Sequence, residues 1–441
     1  MRAPTTMDSS SRGAKFALVV LGLVSVFALT GFGCRRPSGA GDALDQPLVV
    51  WGLWQESEQI QPLLDAFEAQ TGVKVDYQKR ASVATYEKEL LEALAQGRGP
   101  DVFVIHHTWV EGKRGLMSPA PPEVIDERAV QDEFVEVVRK DVVRDGFVYA
   151  LPTSVDTLAL YVNNDLLNAN AVPGPPATWE KFSAAVQSIT RVTRTGQLQQ
   201  SAAALGTADN VNRASDIVQL LMLQSGLSIT NDEGEIDFTQ PAGETALTFY
   251  TDFANKSKKV FTWEDVTQDF SIDAFSEQET AMMINYSYHI PTVRSKQPRL
   301  NFSIAPVPQI GGTQNPRAFA SYWPFAVSNT SRAPVTAWQL VRFLTSKEAS
   351  ETLNKAQVLP PARLDSIETF ARDPILGPFA QQSLIAATWP RVDILAADGI
   401  FNRMVNSVIK EGVTVPEALR SGADQLEQLI TTPPAGAAPA P

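Results

Sequence analysis

The chain has 441 residues, with 37 Lys and Arg against 49 Asp and Glu, for a formal net charge of -12. At about 150 residues per domain this length allows two or three domains, and the acidic balance lacks the positive field that draws proteins onto phosphate backbones, which argues against a nonspecific nucleic-acid binder. Hydrophobic residues at 44% and charged residues at 20% exclude wholesale disorder and a polytopic membrane protein. One cysteine removes every intramolecular disulfide and every cysteine-cluster zinc site, and three histidines leave little for histidine-based metal or acid-base chemistry.

Residues 1–15 are polar and carry Arg2, Arg12 and Lys15; residues 16–33 then run without a charge and end in small residues before Cys34. This is the shape of a signal peptide. The placement of Cys34 resembles a bacterial lipoprotein signal, in which that cysteine is lipidated and becomes the new N-terminus, although Gly31 and Phe32 depart from the usual residues of such a box. An uncleaved anchor helix is the alternative, since about 20 apolar residues span a bilayer. Either way the folded part is expected to be exported and tethered. Residues 35–46 are small, polar and contain Gly and Pro, as in a flexible tether. The end of the chain, TTPPAGAAPAP, cannot pack a core and is expected to be disordered.

Leu48, Val49, Val50 and Trp51 form a buried-strand run. Ser57 is placed to cap a helix whose Ile60, Leu63, Leu64 and Phe67 fall at helical spacing until Thr71-Gly72 stops it. Val73, Val75 and Tyr77 alternate with polar residues, a second helix is expected over 85–96, and residues 102–105 are apolar. This β-α-β-α-β order predicts a parallel sheet covered by helices, and ligands of such sheets bind beyond the carboxyl ends of the strands. Further strands are expected over 157–162, 202–205, 280–286, 302–306 and 322–327. Thr178 should cap a helix beginning at Trp179, and helical patterns recur over 216–224, 244–254 and 334–344, with three more in the last sixty residues. The fold class is α/β throughout.

No GxSxG elbow, GxxxxGK phosphate loop, GxGxxG after a strand or HExxH motif occurs. What stands out is a set of aromatic and polar residues at predicted strand ends: Trp54, Gln55 and Glu56 after the first strand, His106 to Trp109 after the third, and Tyr286, Tyr288 and His289 after a later one. Tyr322, Trp323 and Trp389 sit next to prolines in predicted turns. Sugars present flat C-H faces and many hydroxyls, and aromatic side chains supply both apolar area and a polar handle.

The order of several short motifs resembles the extracellular solute-binding proteins of sugar ABC transporters, the group that includes maltose-binding protein. VVWGLW and LLDAFEAQTGVKV are similar to that family's opening strand and helix, GRGPDVFVIHHTW to its approach to the third strand, and GFVYALPTSVDTLALYVNNDLL to its first crossing between lobes. PPATWEKF, AFSEQETAMMINYSY, APVPQIGG and WPFAVSNTSRAPVTAWQLVRFLTSKEA complete a likeness that covers about residues 47 to 430.

The resemblance implies a two-lobed periplasmic-binding-protein fold with a hinge and an interlobe cleft. Its lobes would be 47–153 with 298–347, and 154–297 with 348–430, after a signal peptide over 1–33 and a lipidated tether over 34–46, and before a disordered tail over 431–441. It implies a monomeric, non-enzymatic, cofactor-free and metal-free substrate-binding lipoprotein that captures a sugar and delivers it to a membrane permease. The ligand contacts it implies are Trp54, Gln55, Glu56, His107, Thr108, Trp109, Asp156, Tyr286, Tyr288 and Trp389, and Tyr322 and Trp323 join the candidate ligand contacts as turn aromatics. Three other readings stay open, of which the first is a structural or signalling lipoprotein that keeps the fold without a transport role; the remaining two concern chemistry. One is a secreted glycan-acting enzyme, since paired carboxylates can meet in space without a motif; the other is ferric-iron binding by Tyr286 and Tyr288.

Overall fold

The apolar run at the start of the folded chain becomes β1 (Leu48–Gly52), buried at four of its five positions, as a strand must be when helices cover both faces of its sheet. The structure, a computed structural model, describes residues 46–228, 236–266, 268–389 and 393–431. In the helix α1 (Ser57–Thr71) the cap is Glu56 and not Ser57. Glu56 and Gln59 form a reciprocal capping box, and Gly72 closes the helix in the left-handed region at φ 76°. Then come β2 (Val75–Lys79), α2 (Val83–Ala95), capped by Ser82, and β3 (Val102–Val104). The chain continues through α3 (Glu136–Val142), β4 (Ala150–Leu151), β5 (Asp156–Thr157) and β6 (Ala159–Asn163).

The middle of the chain forms α4 (Trp179–Ile189), β7 (Arg191–Val192), β8 (Leu198–Ala203), α5 (Ala214–Gln224), α6 (Pro241–Asp252), β9 (Thr280–Asn285) and β10 (Phe302–Pro306). Thr178 caps α4 as predicted, accepting from the Lys181 amide. The remainder forms β11 (Ala318–Ser321), β12 (Phe325–Val327), α7 (Pro334–Leu344), α8 (Lys347–Gln357), α9 (Leu364–Ala371), α10 (Gly377–Gln382), β13 (Ala386–Ala387), α11 (Ile394–Lys410) and α12 (Val415–Thr431).

Two five-stranded sheets result, in the orders β2-β1-β3-β12-β4 and β10-β6-β9-β8-β7. In the first, β2 and β3 flank β1 in parallel; in the second, β8 and β9 are parallel. Each sheet anchors one lobe, and each lobe buries a large indole whose N–H is satisfied. Trp338 donates to the Ser118 carbonyl at 3.0 Å, and Trp263 donates to Asn210 Oδ1 at 2.9 Å. A third sheet, β13-β11-β5, lies where the chain passes from lobe to lobe: β11 runs antiparallel to β5 and parallel to β13.

Three expectations are corrected. The strand expected over 322–327 is confined to β12, and Tyr322, Trp323 and Pro324 instead join it to β11, which precedes them in the hinge sheet. Proline contributes no N–H to a ladder, and the chain turns there. The lobe boundary at 298 comes too early, because β10 pairs with β6 of the second sheet, Ile304 opposite Tyr161. The boundary at 348 also comes too early. Asn354 of α8 donates to the Thr153 carbonyl at 2.8 Å, and Arg363, ahead of α9, pairs with Glu133 at 2.6 Å, so both helices are bound to first-lobe segments. The return to the second lobe falls at α10, whose Gln382 accepts from the Val307 amide and donates to the Leu158 carbonyl.

Candidate functional site

In both sheets the parallel strands deliver their carboxyl ends to residues that carry chemistry, the position where open α/β sheets bind ligands. On the first lobe, Trp323 is the centre of an aromatic box. Trp109 meets it at 5.4 Å between ring centroids, His106 at 5.1 Å, Trp54 at 5.9 Å and Tyr86 at 6.4 Å, all edge to face. Such contacts contribute about 0.5–1.5 kcal/mol each beyond burial. Trp54 remains 48% exposed, whereas Trp109 is buried. Gly52 makes room for this arrangement. A Cβ there would fall on the ring of Tyr77, whose hydroxyl donates to the Gln55 carbonyl at 2.7 Å and so holds the turn after β1.

The other first-lobe residues named from sequence divide into two groups. Gln55 is buried, with no hydrogen-bond partner for its Oε1 among the described residues, next in sequence to the exposed indole of Trp54. Glu56, by contrast, spends its carboxylate on the α1 cap and on Lys79. Thr108 Oγ1 is 2.8 Å from His106 Nδ1, a local bond that fixes the loop. His107 is buried, stacks on Tyr322 at 4.4 Å and 10°, and has its Nδ1 2.8 Å from Asp141 Oδ2.

Asp141, on α3, ties this loop to the hinge. Tyr322 Oη donates to it at 2.7 Å and Thr388 Oγ1, just past β13, at 2.6 Å. Burial first, and then the Asp141 charge, push the Tyr322 phenol well above its ordinary 10, so it stays a donor. Sequence reasoning missed Asp141, which lies 34 positions after His107 with no local pattern linking the two.

On the second lobe, Tyr286 and Tyr288 come together as stacked rings, 5.4 Å apart at 15°. Tyr286, expected to end the strand over 280–286, lies just past it, because β9 ends at Asn285 and Ser287–His289 is a 3-10 turn. Tyr286 is fully buried and donates to Asp216 Oδ2 at 3.0 Å, while Tyr288 is 38% exposed. The intervening Ser287 is held by the hinge. Asp156 Oδ2 accepts from its amide at 2.9 Å and its hydroxyl at 2.8 Å, and Asp156 Oδ1 accepts from the Thr157 amide. Burial pushes the Asp156 carboxyl from 3.8 up to about 7, against the hydrogen bonds from Ser287, which pull it down. Asp156 is therefore placed to brace the Tyr286–Tyr288 turn.

Trp389 is buried at the edge of Phe401 and donates its indole N–H to Gln219. Arg213, at the start of α5, stands 5.6 Å over both the Tyr286 and Tyr288 rings. Burial works against its charge, but Tyr288 and Asp216 outweigh that, so it stays cationic. His289 beside Tyr288 is pushed down from 6.5 to about 4, by burial first and by Arg213 second, and is neutral at physiological pH. Arg213 also went unnoticed in the sequence; the strand-end rule applied to the run at 202–205 would have pointed to it.

Among the described residues no group of three His, Cys, Asp or Glu could hold a metal ion. Two surface recesses, about 520 Å³ by Asp126 and Arg128 and about 410 Å³ by Trp179 and Phe249, share no residue with these strand ends. No helix among the described residues is long and apolar enough to cross a membrane. Cys34, with residues 1–45 and the tail over 432–441, lies outside the described residues.

Two sheet-based lobes, a three-stranded hinge and, on each lobe, strand ends rich in aromatics define a two-lobed ligand-binding protein. Residues 52–351 match the family described as bacterial extracellular solute-binding protein, and the chain belongs to that family. The family is one of exported binding proteins. A maltotriose-binding protein of Pyrococcus abyssi is 22% identical over 359 residues, 78% of this chain and 73% of that one. A putative binding protein of Brucella abortus is 22% identical over 289 residues, 64% of this chain and 67% of its own length. Among solved structures, the sugar-binding protein MalE from Xanthomonas citri superposes with a TM-score of 0.75 at 19% identity, covering 87% of this chain and 97% of that one. A cyclo/maltodextrin-binding protein complexed with maltotetraose gives 0.74 at 20% identity, covering 89% and 99%.

Proposed function

We propose that this protein is the substrate-binding component of an ABC importer, that it captures a carbohydrate of oligosaccharide size between its lobes, and that it hands the ligand to a membrane permease. The observation that carries this reading is the exposed aromatic face at the strand ends of each lobe, Trp54 beside Trp323 on one and Tyr288 on the other. Rings of this kind stack on sugar C-H surfaces, and the names of the relatives, maltotriose- and maltodextrin-binding among them, point the same way. A ligand that touches both lobes favours the closed form because it binds that form more tightly. Closure then changes the surface that a permease meets. The lobes divide at β5, at β11 and between α9 and α10, and the lipid on Cys34 keeps the protein at the membrane.

Capture without chemistry separates this from a glycan-acting enzyme. Calorimetry over neutral and acidic oligosaccharides should show one-to-one binding, with the sugar recovered unchanged; release of shorter products would refute the reading. The ferric-iron alternative is disfavoured by Arg213, since a cation already over both tyrosine rings repels another.

A further inference from the structure

We infer that Arg213 is a binding residue for a carboxylate carried by the ligand, so that the sugar captured is an acidic one, a uronate-containing oligosaccharide. The inference rests on the proposed sugar-binding role and narrows the class of substrate.

The protein is strongly acidic, and several of its partly buried arginines find carboxylates. Arg80 meets Glu89 at 2.9 Å, Arg363 meets Glu133 at 2.6 Å, and Arg144 meets Glu111. Arg213 is different. Among the described residues it forms no ion pair, and its buried Nε has no hydrogen-bond partner. The nearby acids act on it only through space. Asp216 accepts from the Tyr286 hydroxyl at 3.0 Å, and Asp398 accepts from Ser215 Oγ at 2.8 Å. What the guanidinium does touch is the stacked Tyr286–Tyr288 pair, at 5.6 Å from each ring.

Burial of a cation costs stability, and here Asp216 offsets that cost from a distance while the Tyr288 side chain shares a hydrogen bond with the guanidinium; no carboxylate among the described residues pairs with it directly, which leaves its donor fork open to a partner from outside the chain. The placement fits that role. Arg213 follows the loop after β8, which runs parallel to β9, so it emerges on the same edge as the exposed ring of Tyr288. A planar fork of N–H donors matches a carboxylate in a bidentate pair. Tyr288 beside it offers a face for the sugar ring that bears the carboxylate. Neutral His289 next to Tyr288 adds no competing positive charge.

The test uses trimers of galacturonate, glucuronate and mannuronate, each paired with its own methyl ester, which keeps the ring and removes the charge. Maltotriose and glucose 1-phosphate complete the calorimetric panel. At least one acid trimer should bind about tenfold to a hundredfold tighter than its ester, the range of a charge-assisted hydrogen bond. That preference should shrink with rising salt, collapse toward unity in Arg213→Gln and be partly kept in Arg213→Lys. Thermal unfolding of the ligand-free Arg213→Gln protein should fall by no more than a few degrees, because ring contacts, one hydrogen bond and through-space attraction are lost but no direct ion pair; a larger fall would show a structural arginine and overturn the assignment. Binding of neutral sugars or esters without preference for the acids would leave the sugar-binding role intact and sink this inference. Tight binding of the phosphate in place of the uronates would overturn the carboxylate, and silence toward every saccharide would sink both readings.

Discussion

Replacing Asp156 with asparagine should change how the stability of the protein depends on pH. Buried in the hinge strand β5, the carboxyl is held at about 7 in the folded protein against 3.8 when unfolded. Between those values the folded state binds a proton that the unfolded state has released. The contribution to stability is therefore fully present below pH 3.8 and is lost as the pH rises through about 7. Each pH unit well inside that window is worth about 1.4 kcal/mol, and the slope fades near pH 7, so wild type loses about 2 kcal/mol from this group between pH 5 and pH 7 and about 3 kcal/mol by pH 8. Asparagine does not titrate. Its amide faces either the Thr157 amide or the two Ser287 donors, a mismatch costing about 1–3 kcal/mol that is the same at every pH. Urea unfolding followed by tryptophan fluorescence at pH 5, 6, 7 and 8 should thus show the variant gaining on wild type by about 3 kcal/mol across the window, whatever the constant offset. Parallel stability curves would refute the buried, uncompensated carboxylate and with it the brace on Ser287.

The His289 imidazole should show no titration in proton NMR between pH 8 and pH 5 and should titrate near 4, since burial and Arg213 disfavour its charge; its stabilising neutrality is lost only as pH falls from 6.5 through 4, and a midpoint near 6.5 would contradict the packing around Tyr288. Trp54→Ala should weaken ligand binding in calorimetry by about 2 kcal/mol, roughly thirtyfold, while lowering stability by no more than about 1 kcal/mol, because the ring is half exposed and touches Trp323 only by an edge. Gly206→Ala should cost about 3 kcal/mol or more in denaturant unfolding, since Gly206 sits at φ 116° and an added Cβ would come within 2.6 Å of the Ala254 amide nitrogen.

Much of the architecture was written locally. The apolar run at Leu48, the helical spacing of Ile60, Leu64 and Phe67, and the Thr178 cap each depend on residues within one or two turns of chain, and the structure shows the strand, helix and cap there. Strand-end aromatics were legible for the same reason: once β1, β3 and β9 are placed, whatever follows them stands at the ligand edge of a parallel sheet. The roles within that set were not legible. Trp54 and Glu56 are two residues apart, yet one presents an indole to solvent and the other caps a helix and pairs with Lys79.

Sequence alone thus determined the class of fold and the edge on which the site lies, because periodicity and turn residues act over a few positions. Only the tertiary structure decided what the polar groups do, because burial and hydrogen-bond partners come from distant segments. Asp141 gathers His107, Tyr322 and Thr388 from three parts of the chain. Asp156 takes its bonds from Ser287, 131 positions away. The lobe boundaries followed the same rule: β10 and α8 look like any apolar strand and helix, and only their pairing with β6 and with Thr153 assigns them to a lobe. Arg213 shows it most plainly, since an arginine in a sequence carries no sign of whether a carboxylate will meet it, and here none of the described residues does.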